Sequence, residues 1–350
     1  MPLPHFTVCT KETILGNTTL RRFETKLGER VQTPAVNAYA AALDATTARY
    51  IIIGIPENIG VKANGGTGGT STAWPAFLQA FLNTQSNDFF SGDSVMVLGS
   101  FDFSDMERLI DENGSSDEEK KDAYRHAVNT IDDEVEKLIK TIVTAGKFPV
   151  VIGGGHNNAY PLLKGAAKGL QQAQRLPLAQ INCINLDAHT DYRPEEGRHS
   201  GNAFRYAESD GFLQKYCALC IHESYLPQNV WMDLVNNPFM DCITYEDIFI
   251  HEKRTFTQAV AHAIDFTEDN FTGIELDLDA IENVLSSAMT PCGITTQQAR
   301  QYVSLCAAGT KAVYLHLCEG ATLLSDGKKN EATGKILSYL VSDFIKMHQD

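Results

Sequence analysis

Two acidic runs, each directly after an apolar strand-like stretch, constrain this chain more than any other feature. The first run is Asp187-Ala188-His189-Thr190-Asp191, after residues 181–186, and the second is Asp277-Leu278-Asp279, after residues 271–276. An open parallel sheet binds its ligands beyond the carboxyl ends of its strands, so these side chains are predicted to meet in one crevice. Carboxylates held a few ångströms apart repel one another unless a cation neutralises them. The sequence therefore predicts a metal site.

Length, composition and charge set the class of protein. The chain has 350 residues, of which 43% are hydrophobic and 21% charged, with no apolar run of membrane-spanning length and no signal-peptide pattern. We predict a soluble, cytoplasmic protein whose residues 1–350 form one domain, with residues 1–45 as an N-terminal extension, and whose eight cysteines are reduced thiols. A net charge of −15 without a basic run argues against nucleic acid or an anionic membrane as partner, which leaves a small-molecule substrate.

Apolar runs bounded by turn residues predict the fold. They indicate about eight strands, at residues 50–55, 94–98, 148–152, 181–186, 218–222, 241–245, 271–278 and 312–318. Helical patterns lie between most of them, the clearest over residues 117–145, where Ser116 and Glu119 have the spacing of a capping box. Strands that alternate with helices predict a three-layer α/β/α sandwich with a central parallel sheet.

Candidate ligands follow the predicted strands. Side chains two residues apart in extended backbone face the same side, so Asp187, His189 and Asp191 can share one target, as can Asp277 and Asp279. The predicted strand 148–152 is followed by Gly153-Gly154-Gly155-His156, and 312–318 by Glu319. Four aspartates and two histidines form a hard oxygen and nitrogen donor set that favours Mn²⁺. Four negative charges match two divalent ions, which could generate a hydroxide nucleophile by lowering the pKa of bound water.

Each candidate also has a plain structural interpretation. Asp279 alone could be a helix cap, His156 a core histidine bonded to backbone, and Glu319 the partner of a surface lysine. Cys217 and Cys220 form a C-x-x-C pattern, but within a strand they are expected to face opposite sides, which disfavours a redox role. The Gly-rich residues 64–70 lack the Lys-Ser/Thr ending of a phosphate loop and are predicted to be a flexible surface loop near the site mouth.

At these motifs the chain resembles the ureohydrolase family, which includes arginase, agmatinase and formimidoylglutamase. The resemblance implies two manganese ions per chain, one held by His156, Asp187, Asp191 and Asp277 and the other by Asp187, His189, Asp277 and Asp279. It also implies that His199, within residues 198–205, delivers a proton and that Glu319 orients the substrate. Family members are commonly oligomers, so a homo-oligomer is expected.

Departures from the family pattern bear on the substrate. Arginases and agmatinases usually carry Asp where this chain has Gly155, so the resemblance is strongest to the formimidoylglutamase branch. Arg193 offers a bidentate fork for a substrate carboxylate, with Arg198 as the fallback, although Arg193 could also be a solvated loop residue beside Glu195 and Glu196.

The resulting hypothesis is hydrolysis of N-formimidoyl-L-glutamate to L-glutamate and formamide, a step in histidine degradation, by hydroxide attack on the formimidoyl carbon. Three alternatives stay open. An agmatinase- or arginase-type guanidino hydrolase would use the same ligands, but Arg193 would repel a cationic tail. A zinc deacetylase on this architecture uses one metal and would not need both His156 and His189. A non-catalytic protein on the same scaffold would have no reason to keep so costly a charge cluster.

Overall fold

The computed structural model describes residues 3–35 and 38–348, and a nine-stranded sheet forms its centre. The strands are β1 (Phe6–Val8), β2 (Tyr50–Gly54), β3 (Val95–Phe101), β4 (Phe148–Ile152), β5 (Ile181–Leu186), β6 (Leu213–Ile221), β7 (Met240–Thr244), β8 (Thr272–Asp277) and β9 (Ala312–Cys318). Their order across the sheet is β1-β3-β2-β4-β9-β8-β5-β6-β7. All eight predicted strands are present, although β6 begins at Leu213, well before the expected residue 218.

The sheet is parallel except at one edge. β1 runs antiparallel to β3, with Phe6 opposite Phe101, and the other neighbouring pairs are parallel. β1 was not predicted from the sequence, because a strand of three residues is too short to show a periodicity. The N-terminal segment joins the domain core through buried side chains such as Leu3 and Leu27.

Helices cover both faces of the sheet. They are α1 (Lys11–Gly16), α2 (Tyr39–Ala45), α3 (Ile59–Ala63), α4 (Ala73–Leu82), α5 (Ser104–Asn113), α6 (Asp117–Thr144), α7 (Ala159–Gln172), α8 (Ala203–Ser209), α9 (Gln228–Asn236), α10 (Tyr245–Phe249), α11 (Phe256–Thr267), α12 (Thr296–Gly309) and α13 (Thr333–Met347). Strand side chains alternate between two apolar cores, one shared with α4, α11, α12 and α13 and the other with α2, α3, α6, α7, α8 and α9. The three-layer α/β/α prediction is confirmed. Among the described residues, none of these helices has both the length and the apolar character that a membrane span requires.

Local sequence signals explain individual elements. Ser116 caps α6, since its hydroxyl accepts the Glu119 amide N–H at 3.2 Å, and the Glu119 carboxylate accepts the N–H of Ser115 rather than that of Ser116. The expectation that Cys217 and Cys220 face opposite sides is wrong. A bulge in β6 holds Cys220 at a φ of 65° and turns both thiols into the same core. All eight cysteines lie in the described part of the chain and are free thiols.

The sheet order brings the predicted ligands together. β4, β9, β8 and β5 are consecutive neighbours at the centre of the sheet, and each is followed by one of the candidate motifs. Since these four strands are parallel, their carboxyl ends share one edge. His156, Asp187, Asp277 and Glu319 therefore leave the sheet side by side.

Candidate metal centre and substrate cleft

The first donor cluster surrounds one nitrogen of His156. Its Nδ1 atom lies 2.8 Å from Asp191 Oδ2, 3.2 Å from Asp187 Oδ2 and 3.3 Å from Asp277 Oδ2. One donor atom from each of these four residues fits within a sphere that a single ion could occupy. His156 and Asp187 are fully buried, as expected for ligands carried at the end of central strands.

The second donor cluster lies beside the first and shares Asp187 with it. His189 Nδ1 is 3.5 Å from Asp187 Oδ1 and 3.1 Å from Asp279 Oδ2. The two oxygens of Asp187 thus face two different histidines, the arrangement required of a bridging carboxylate. Asp277 is grouped with the first cluster, and its Oδ1 accepts the Asp279 N–H at 2.8 Å.

Unpartnered donor atoms support metal binding at this site. Within the described residues, the ring nitrogens of His156 and Oδ1 of Asp279 are buried and have no hydrogen-bond partner. Buried polar atoms normally find a partner, so these atoms need a ligand that the chain does not provide. Carboxylate oxygens and imidazole nitrogens are donors that suit Mn²⁺ and similar divalent ions. The residues therefore fit a binuclear metal centre.

The charges of the site make the same point. Burial, reinforced by the charges of Asp279 and Asp187, raises the pKa of Asp277 well above its usual value. Burial and the charge of Asp187 raise the pKa of Asp191 to about 6. For Asp187 burial acts in the same direction, but its close contacts with the rings of His156 and His189 outweigh the effect of burial and lower the pKa. A bound cation would relieve this repulsion and keep all four carboxylates ionised.

The backbone conformation of the glycine turn after β4 determines the position of His156. Gly153 and Gly154 have φ values of 85° and 76°, which turn the chain sharply before His156. The buried Glu57 carboxylate fixes this turn by accepting the Gly155 N–H at 2.9 Å. A Cβ at Gly155 would come within 2.6 Å of Asn157 Oδ1, so an aspartate at this position would require the Asn157 side chain to move.

A cleft of about 520 Å³ opens above the two clusters. Its lining includes four candidate ligands, His189, Asp191, Asp277 and Asp279, together with Glu319 and Arg193. The other lining residues are Asn64, Thr190, Ser200, Gly201, Tyr225, Pro227, Ser287 and Ala288. Glu319 lies at its floor, where Oε1 accepts the His156 N–H at 2.9 Å. Burial first, and then the charges of Asp279 and Asp191, raise the pKa of Glu319 to about 8.

Arg193 lies at the rim of this cleft, with a side chain 45% exposed. Its guanidinium contacts Glu196 at 2.5 Å and Asn64 Oδ1 at 2.8 Å. Among the described residues that line the cleft, it alone carries a permanent positive charge. A substrate carboxylate at the rim would therefore meet Arg193.

Arg198, the fallback for carboxylate binding, is not available to a substrate. Its side chain is 4% exposed and is engaged by Asp132 at 2.9 Å, by the Asn157 carbonyl at 2.8 Å and by Asn202 Oδ1 at 2.9 Å. The prediction of Arg198 as an alternative carboxylate-binding residue is wrong. Its buried guanidinium connects α6 to the two turns that carry His156 and Ser200.

His199 lies behind the cleft wall. Its side chain is fully buried, Nδ1 accepts the Gly201 N–H at 3.1 Å, and Nε2 lies 3.2 Å from Glu196 Oε1. Burial and the charge of Arg193 lower the pKa of His199 to about 4, so the ring is neutral at pH 7. Ser200, the next residue, lines the cleft in its place.

Some contributors to the site were not identified from the sequence. Tyr225, after β6, stacks flat against His189 with ring centroids 5.0 Å apart. The residues 64–70, predicted to be a flexible surface loop, reach the cleft through Asn64, but Gly68, Gly69 and Thr70 are buried. The Gly69 N–H is held by Asn58 Oδ1 at 2.8 Å, so this segment is a packed part of the wall. A Gly-rich segment carries no sequence signal of such packing.

The protein is a three-layer α/β/α sandwich with two carboxylate–histidine clusters at the carboxyl edge of its central sheet. These features define a class of α/β proteins that can hold two metal ions. The model of the arginase family matches residues 48–344, which is most of the chain. The chain belongs to the arginase family, and the ureohydrolase resemblance is confirmed.

The relatives of this chain include formimidoylglutamases. That of Psychrobacter cryohalolentis is 27% identical over 321 residues, covering 86% of each chain. That of Geobacillus thermodenitrificans is 30% identical over 210 residues, and this match spans 57% of the present chain and 61% of the relative. The match to this second relative thus spans about three fifths of its length.

Solved structures share the fold. Trypanosoma cruzi formiminoglutamase with Mn²⁺ superposes with a TM-score of 0.66 at 19% identity, covering 92% of this chain and 97% of that one. Formimidoylglutamase from Bacillus subtilis superposes with a TM-score of 0.69 at 16% identity, covering 94% and 93%. At such identities the likeness establishes the arginase-like fold.

Proposed function

We propose that this chain is a binuclear manganese hydrolase that cleaves N-formimidoyl-L-glutamate to L-glutamate and formamide, as in histidine degradation. The observation that carries the proposal is Asp187, whose two oxygens face His156 and His189 below a cleft with Arg193 at its rim. The formimidoylglutamase relatives and the manganese in the Trypanosoma cruzi structure support the same substrate and metal.

Six residues would hold the two ions. His156, Asp187, Asp191 and Asp277 would bind one ion, and Asp187, His189 and Asp279 the other, so that Asp187 is common to both. The resemblance to the ureohydrolase family adds Asp277 as a second shared ligand. Two Mn²⁺ ions bound there would supply Lewis acidity and a water activated for attack on an electron-poor carbon.

The remaining residues would orient the substrate and move protons. A substrate carboxylate binds Arg193 through paired hydrogen bonds, which leaves the formimidoyl group pointing toward the floor of the cleft. Glu319 at this floor binds the cationic amidine, and the positive charge favours the ionised form of its carboxyl group. The departing nitrogen of glutamate needs a proton. His199 would contribute to this transfer indirectly, through Glu196, because its ring does not reach the cleft.

One assay separates this function from its nearest alternative. The purified chain, supplied with Mn²⁺, is tested for formamide and glutamate release from formimidoylglutamate, and for urea release from arginine and agmatine. We expect formamide and glutamate without urea, whereas urea release would favour the guanidino hydrolase. That alternative keeps one supporting observation, since Glu196 already neutralises part of the charge of Arg193.

Matched variants test the metal centre itself. Asp187→Ala should abolish formamide release and lower the manganese content, because it removes a ligand from both ions. Asp105→Ala, at an exposed position of α5, is the control and should leave both unchanged. Full activity of the unaltered chain after exhaustive chelation would refute the proposed metal chemistry.

Cellular location and assembly stay predictions. A cytosolic location agrees with eight free thiols in the described chain, since disulfides are rare in reducing compartments. A homo-oligomer is expected from the resemblance to the family and can be tested by light scattering.

A further inference from the structure

A buried group of three polar side chains lies behind His156, on the side away from the cleft. It consists of Glu275 on β8 and Tyr314 and His316 on β9, all with no exposed surface. Glu275 Oε1 accepts the Tyr314 hydroxyl at 2.7 Å, and Oε2 lies 2.6 Å from His316 Nδ1. The pairing of β8 with β9 sets Glu275 opposite His316, so this contact is part of the strand register.

Glu275 also faces the ring of His156. Its Oε2 lies 3.5 Å from His156 Nε2, the nitrogen that points away from the aspartates. His156 Nε2 has no hydrogen-bond partner among the described residues, so this carboxylate oxygen is an acceptor poised for it. The imidazole of His156 thus stands between the cleft aspartates at Nδ1 and Glu275 at Nε2.

Metal binding imposes a condition on this ring. A neutral imidazole carries one proton, and the nitrogen that ligates a metal must offer its lone pair. If Nδ1 is the ligand, the proton must be on Nε2. A carboxylate that accepts a hydrogen bond from Nε2 favours this tautomer and fixes the ring orientation.

We propose that Glu275 is a positioning residue that selects the Nε2-protonated form of His156 and thereby prepares Nδ1 for the first metal ion. This role rests on the proposed function, because it requires His156 to be a ligand. Tyr314 and His316 hold the Glu275 carboxylate in place, since both of its oxygens are engaged.

The same residues suggest a competing arrangement. His156, Glu275, His316 and Cys318 could each place one donor atom within 4.8 Å of the others, as for an ion of their own. That ion would take Nε2 of His156 while the cleft ion takes Nδ1, which demands a doubly deprotonated imidazolate. The positioning role requires no such step, so we favour it.

The test is the Mn²⁺ affinity of Glu275→Gln, measured by titration against a competing chelator. The glutamine amide can donate a hydrogen bond to Nε2 and so favour the tautomer of His156 that carries its proton on Nδ1. We expect the affinity for one of the two ions to fall by about 10–100-fold, the usual effect of removing such a partner. Tyr302→Phe is the matched control. It removes a buried hydroxyl that donates to the Glu275 backbone carbonyl at 2.9 Å and leaves the carboxylate that faces His156 and its partners in place, so its Mn²⁺ affinity should match that of the unaltered chain.

A measurement on the unaltered chain guards against misfolding of the variant. With ¹⁵N-labelled histidine and diamagnetic Zn²⁺ in place of Mn²⁺, His156 should show its proton on Nε2. A proton on Nδ1, three ions per chain, or unaltered Mn²⁺ affinity in Glu275→Gln would each overturn the positioning role. A chain that binds two Mn²⁺ ions and passes these tests but leaves formimidoylglutamate intact would overturn the proposed function alone.

Discussion

Replacing Arg198 with methionine should destabilise the fold far more than loss of an ordinary surface arginine. The guanidinium binds Asp132 through Nε at 2.9 Å and through Nη2 at 3.3 Å, and it also holds Asn157 and Asn202. It lies over the rings of Tyr160 and Tyr206, 4.7 and 5.0 Å from their centroids. Methionine keeps part of the apolar contact and removes every hydrogen bond.

The magnitude follows from what remains behind. Arg198→Met leaves Asp132, 7% exposed, as a buried carboxylate without its partner. Breaking a buried ion pair in this way costs about 3–5 kcal/mol of the free energy of unfolding. Burial raises the pKa of Asp132 even with Arg198 present, so the orphaned carboxyl should take up a proton more readily still. The cost of the substitution should therefore shrink as the pH is lowered.

Urea denaturation at pH 7 measures this cost. Arg108→Met is the matched control, because Arg108 pairs with Asp105 at 2.7 Å while both side chains are more than half exposed. Its loss should stay below about 1 kcal/mol. The double variant Asp132→Leu/Arg198→Met should recover part of the stability, since it leaves no buried charge. A loss of under about 1 kcal/mol for Arg198→Met would refute the reasoning.

Three further predictions concern the site. Arg193→Met should lower kcat/KM for formimidoylglutamate by about 1.5–3 kcal/mol of transition-state binding with Mn²⁺ content retained, and unchanged kinetics would make Arg193 a solvated rim residue. Mn²⁺ at about 100 times its Kd should raise the free energy of unfolding by about 2.7 kcal/mol per site, an increase that calorimetry should find diminished in Asp187→Ala. The folded pKa of His199, about 4, lies below the unfolded value near 6.5, so stability should fall as the pH drops through that window. His199→Gln should reduce this fall by up to roughly 3 kcal/mol, and parallel pH profiles of the two proteins in urea would contradict it.

The layout of the donor clusters could be predicted because it depends on topology. Apolar runs marked the strands, and parallel strands place the residues that follow them at one edge. His156, Asp187 and Asp277 were therefore brought together without knowledge of any side-chain contact. The strand order was not required, because any order that keeps these strands adjacent gives the same convergence.

Contacts that depend on a few local backbone angles could not be predicted from the sequence. Whether His199 or Ser200 faces the cleft depends on the turn that Arg198 fixes, and periodicity does not apply to such a turn. Glu275 did carry a signal, since an acid within an apolar strand needs a partner. Its partner His316 lies 41 residues away and becomes visible only through the register of β8 with β9.

The left-handed backbone of two site acids limits how this protein can evolve. Asp191 has a φ of 46° and Glu319 a φ of 60°. Residues other than glycine, asparagine and aspartate seldom adopt this left-handed conformation. In a saturation library at position 191, selection for folding alone should enrich glycine and asparagine, whereas selection for turnover should return aspartate. Loss of function at this position would thus tend to leave a stable, inactive protein. A lineage that drifted through Asp191→Asn could keep the scaffold intact and regain its chemistry by a single reversion.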